Sequence, residues 1–117
     1  MAATAARTNP TVAAQRGELR VADRVFSSIA GYAVRQSLAE SWAGRADRGA
    51  PPRVSVRVVQ GVARITLHLD LPFPADLAEL ARTARAAAAD RVAELTGTPV
   101  GDVVVVVERL LPVGNVR

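Results

Sequence analysis

The chain has no cysteine, which excludes a disulfide framework, a thiolate metal site and a cysteine nucleophile in one step. It also has no lysine: all 15 basic side chains are arginine. The formal net charge is only +4, so this is not the concentrated basic surface of a dedicated nucleic-acid binder. Histidine occurs once, at His68, and aromatic residues make up 3% of the chain. An acid–base site has little to draw on, and there is no pair of strand aromatics to stack bases. Long apolar runs are missing too. The strongest, Val100 to Val107, is interrupted by Gly101 and Asp102 and falls far short of the roughly 20 residues that cross a bilayer as a helix.

What is present is apolar bulk. Hydrophobic residues make up 50% of 117 residues, enough for one domain with a real core built from Val, Leu, Ile and Ala. Phe26, Tyr32, Trp42 and Phe73 are expected as its few large pieces. The stretch from Met1 to Gln15 is rich in Ala and Thr and lacks the apolar segment of a secretory signal. Residues 1–16 are therefore expected to be a disordered tail, 17–111 the folded domain, and 112–117 a second tail.

Phe26, Ile29, Ala30, Ala33, Val34 and Leu38 recur at three- and four-residue spacing and paint one face of a helix. Asp23 is expected as its N-cap and the vicinity of Gly44 as its end. Pro51-Pro52 then forces extended chain. Val54, Val56 and Val58 alternate with polar residues, as do Ile65, Leu67 and Leu69 after Gln60-Gly61, which reads as a hairpin with a two-residue turn. That turn pairs Val59 with Val62, Val56 with Ile65, Val54 with Leu67, and Arg57 with Arg64. Leu71-Pro72-Phe73-Pro74 is expected to break the sheet. Ala75 to Leu95 forms a second amphipathic helix, with Leu77, Ala81, Ala84, Ala88, Val92 and Leu95 inward and Gly97 as C-cap. Val103 to Val107 is a β-branched strand. The fold class is α+β, a two-layer sandwich in which two helices cover one face of a sheet of three to four strands. The order is αββαβ, with a short strand at Leu19 to Val21 as an optional first element.

No phosphate-binding glycine pattern and no G-x-x-G clamp is present. His68 and Asp70 share a strand face at i and i+2, but no nucleophile elbow or third ligand lies near them, and they are expected to be solvent-exposed polar positions. No catalytic, cofactor-binding or metal-ligating residue is assigned. The open sheet face carries the stronger signal. Val104 and Val106 should point away from the helices, beside Arg57, Arg64 and Glu108, and two arginines directly opposite each other destabilise a strand pair unless something neutralises them. These five residues form a candidate interaction surface for another subunit or an acidic partner. The valine strand also invites pairing with another chain at a sheet edge, with Arg109 as its only gatekeeper. The bland alternative is that the arginines splay into water with Glu108 near one of them.

The segment Glu18 to Ala33, the strand valines Val54, Val56 and Val58, and Val92, Leu95, Thr96, Gly97, Val100, Val103, Val105 and Val107 together resemble the Asp23/Gls24 family, the alkaline shock or envelope stress proteins of bacteria. The likeness covers about residues 17–110. It implies a cytoplasmic, non-enzymatic protein of cell-envelope homeostasis, held near the membrane through an anchored protein partner and prone to form homo-oligomers. Where the family commonly has a tyrosine-glycine step before the second helix, this chain has Leu71-Pro72-Phe73-Pro74. The arginine-only usage points to a high-GC, actinobacterial source. An RNA-binding or regulatory module using the arginine-bearing face is the second reading, and an enzyme the third.

Overall fold

The computed structural model describes residues 12–113, with side chains from Asp23 onward. Between Pro10 and Pro51 no proline interrupts the chain, and one long helix, α1, occupies Val12–Ser37. It takes in Leu19 to Val21, so the optional first strand does not form. Asp23 lies within the helix rather than capping it. The residues before it, Ala13, Ala14, Gln15 and Arg16, all favour helix, and local propensity overrides the apparent start signal. Residues 12–16, expected in the tail, are thus helical. Residues 1–11 and 114–117 lie outside the described part.

After α1 a 3-10 turn at Ala39–Trp42 folds Trp42 back onto the core, where it is buried together with Phe26. Tyr32 and Phe73 do not join them and are exposed. On α1 the reason is helical phase: Tyr32 is two residues, a little over half a turn, from both Ala30 and Val34, and so points away from the buried stripe of Ala30, Ala33, Val34 and Leu38.

Strand β1 (Arg53–Val59) and strand β2 (Val62–Phe73) form the hairpin. Gln60 and Gly61 both have positive φ, 53° and 78°, the two-residue turn whose twist matches its flanking strands. The register is the expected one: Val59 with Val62, Arg57 with Arg64, Val56 with Ile65 and Val54 with Leu67. Strand β2 then runs on through Leu71, Pro72 and Phe73, which pair with Leu110, Leu111 and Pro112. The break expected in this segment comes only at its second proline, since β2 ends at Phe73; Pro72 stays in the ladder because beyond His68 the strand pairs with β3 alone.

Helix α2 (Leu77–Thr96) starts at the N-cap Asp76, whose carboxylate accepts from the Glu79 N–H, and ends at Gly97 in the left-handed conformation. Ala84, Ala88 and Val92 are fully buried and Leu77 and Leu80 pack at the edge of the core, but Leu95 is exposed. Small side chains on the buried stripe let the helix approach the sheet closely. Strand β3 (Val100–Pro112) is far longer than its valine centre and lies parallel to β2, as a strand–helix–strand crossover requires. The order αββαβ yields a sheet β1-β2-β3. Both helices lie on one face: α1 packs against β1 and α2, and α2 against β3.

The core centres on β2. Ala63, Ile65, Leu67, Leu69 and Leu71 are all buried, alternating with Arg64, Thr66, His68 and Asp70 on the other face. Because Ala88 is fully buried in the core, Ala88→Leu should lower stability by about 1–3 kcal/mol through overpacking. Ala86→Leu on the exposed side of the same helix should stay within about 0.5 kcal/mol. Urea midpoints of the two variants separate packing from helix propensity, which is nearly equal for them.

Candidate interaction surface

The sheet face turned away from the helices is bare and organised by charge. Arg57 and Arg64 stand opposite each other as expected, and Asp102 relieves them, 3.5 Å from the Arg64 guanidinium. Glu108 is not the residue that does this. It lies at the other end of the face, where its carboxylate accepts from His68 Nδ1 at 2.8 Å and sits 3.3 Å from Arg53. The five sequence candidates therefore divide. Arg57, Arg64 and Val104 line a shallow depression of about 420 Å³ with Ser55, Thr66 and Asp102. Glu108 joins His68, Asp70, Arg53 and Arg109 around a smaller one of about 160 Å³. Val106 pairs with His68 in the ladder between them.

Asp70 departs from its expected role as a solvent-exposed group. Its side chain is only 5% exposed, and one oxygen, Oδ2, accepts from the Ala50 N–H and from the Arg109 guanidinium, each at 2.9 Å. Burial alone would push this carboxyl up. The Ala50 hydrogen bond, Arg109 and the more distant Arg53 outweigh it and hold the group below the ordinary value. The loop it anchors is shaped for the contact: Gly49 has φ +74°, and a Cβ there would lie 2.8 Å from the Asp70 Cβ. The Gly49 N–H in turn donates to Asp47 Oδ1 at 2.9 Å. Glu108 is also held below the ordinary carboxylate value, chiefly by the His68 hydrogen bond, with Arg53 adding to it.

The open face thus carries Arg53, Arg57, Arg64 and Arg109 against Asp70, Asp102 and Glu108, and three of the four arginines are in ion pairs within the chain. Such a near-balanced face gives little of the net positive field that a phosphate backbone selects. The His68–Glu108 pair has the geometry of an oriented base, but the depression it borders is lined by no serine, threonine, tyrosine or cysteine. Among the described residues no cluster of three or more His, Cys, Asp or Glu is placed to hold a metal ion.

Apolar side chains punctuate this polar ground. Val104 is 50% and Val106 37% exposed on the open face, as their strand phase requires, while Val103 and Val105 pack against the core. Val107, expected inward, is 41% exposed, because it sits just before an irregularity that adds Glu108 to β3 between the pairs Leu69–Val107 and Asp70–Arg109. Sequence reading missed Arg53 and Asp102 as members of this surface and placed Arg109 only as the guard of the valine edge. The crossover through α2 leaves the β2–β3 register free, so no turn length fixes which β3 residues face Arg64, His68 and Asp70. No protein-family profile, curated protein or solved structure matches the chain.

Two outcomes test the Asp70 anchor. Gly49→Ala should cost about 1–3 kcal/mol from the left-handed backbone alone, read as a lowered thermal midpoint. Asp70, with its folded value depressed, contributes stability that is present above the ordinary carboxylate value of 3.8 and lost as pH falls through the lower folded value. Asp70→Asn should therefore flatten the acid limb of stability against pH, measured by urea unfolding at a series of pH values from neutral downward.

Proposed function

We propose that the protein is a non-enzymatic module that acts through protein–protein contacts, including contacts with copies of itself, made by the bare sheet face and its valine edge. The observation that carries this reading is the juxtaposition of exposed Val104 and Val106 with arginines of which Arg53, Arg64 and Arg109 are already paired within the chain. Exposed apolar side chains beside largely satisfied polar groups match the composition of a protein interface. Under the resemblance to the alkaline shock family, such a module would serve a cytoplasmic role in cell-envelope homeostasis. None of the described helices is long and apolar enough to cross a membrane, so a place at the envelope would come through an anchored protein partner.

The measurement is light-scattering mass after size exclusion, over a concentration series, for the wild type and for Val104→Glu combined with Val106→Glu. The wild type should show a mass that rises with concentration above the 12.3 kDa of one chain, and the double variant should remain a monomer with an unchanged circular dichroism spectrum. A wild type that stays monomeric throughout removes self-association from the proposal.

A further inference from the structure

Strand β3 is an edge strand thirteen residues long, and its outward row of N–H and C=O groups meets no strand among the described residues. Natural edges of this kind are blunted by charge, proline or a bulge. The other edge, β1, is blunted in this way: Arg53 and Arg57 lie on it and Pro51-Pro52 precede it. Between Val103 and Val107, β3 has none of these devices. All five residues are valine, and they follow a regular ladder against Ile65 to Leu69.

The two ends of this regular segment are alike. Toward the start of β3, two residues, Gly101 and Asp102, oppose the single Arg64. Toward its end, Glu108 is the extra residue before Arg109 meets Asp70. The segment is a five-valine block bounded on each side by an irregularity, with Asp102 before it and Glu108 followed by Arg109 after it. Such a block is complementary to itself when reversed.

We infer that a second copy of this chain pairs antiparallel along β3, with the two-fold axis at Val105, so that two three-stranded sheets become one of six. The inference rests on the self-association reading and specifies its geometry. Antiparallel partners must share a face, so a symmetric register can shift only in steps that keep the alternation. With the axis at Val105 every valine meets a valine: Val104 faces the other copy's Val106 on the open side, and Val103 faces its Val107 on the helix side. Moving the axis to Val104 or Val106 sets a valine against Asp102 or Glu108. A strictly regular continuation beyond Val107 would oppose Asp102 to Glu108. Because Glu108 is the extra residue, the next position is Arg109, and each copy's Asp102 gains the other's Arg109 as a neighbour. Asp102 and Arg109 have side chains 73% and 63% exposed, so both can reach outward while keeping their partners within the chain. Val107, 41% exposed in the single chain, becomes covered by Val103.

The absence of native cysteine makes the register directly testable. Single variants Val104→Cys and Val106→Cys are prepared separately and oxidised alone and as an equimolar mixture, with Val59→Cys on β1 as control, beside light scattering of the wild type. Directly opposite residues have Cβ atoms about 4.5–5.5 Å apart and diagonal ones about 7–8 Å, and only the former approach the spacing a disulfide needs. The mixture should form a covalent Val104→Cys/Val106→Cys dimer at least several-fold faster than either variant alone, and Val59→Cys should not link. If the wild type associates but the mixture links no faster than the single variants, the edge pairing is overturned while self-association stands. A wild type that never exceeds one chain overturns both.

Discussion

Five alternate side chains of one strand, Ala63, Ile65, Leu67, Leu69 and Leu71, are buried beneath two helices, and their burial dictates the placement of almost everything else. A strand that gives one face wholly to the core must give the other to water, and on β2 that second face is Arg64, Thr66, His68 and Asp70. Hydrophobic burial on the helix side thereby arranges the chemistry of the open side without any interaction on that side being strong. Surface ion pairs such as Arg53–Glu108 contribute little on their own. Their effect is to leave Val104 and Val106 as apolar features of the face that hydrophobic burial would favour covering.

The parts of this arrangement that were legible in the sequence are those fixed by local rules. The stripe of α1, the Gln60-Gly61 turn with its full register, the Gly97 cap and the outward phase of Val104 and Val106 each follow from periodicity or turn chemistry within a few residues. The parts that were not legible depend on distant chain. Which β3 residue lies beside His68 is set by the length and docking of α2 and by two one-residue irregularities, and no short-range signal encodes either. Glu108 illustrates this. Its identity and exposed side were readable, but its neighbours were assigned to the wrong end of the face.

The start and stop signals failed in an instructive direction. An aspartate before an apolar run read as a helix start, yet α1 passes through Asp23, and of the two prolines that bracket Phe73 only Pro74 ends β2, which passes through Pro72. In each case continuation was cheaper than termination: helix-forming residues preceded Asp23, and the ladder to β3 continued past Pro72. Capping residues mark where an element can begin, and only packing decides whether it does.

The double use of the Asp70 oxygen has a consequence for how substitutions combine. The turn at Gly49 and Ala50 and the edge residue Arg109 are separated by about half the chain, yet both hang on the same atom. Losses at the two sites therefore share a common term and should not sum, since removing either partner changes what the remaining one is worth. This small α+β domain has in that carboxylate a joint between its irregular loop and its edge strand, and the two behave energetically as one unit.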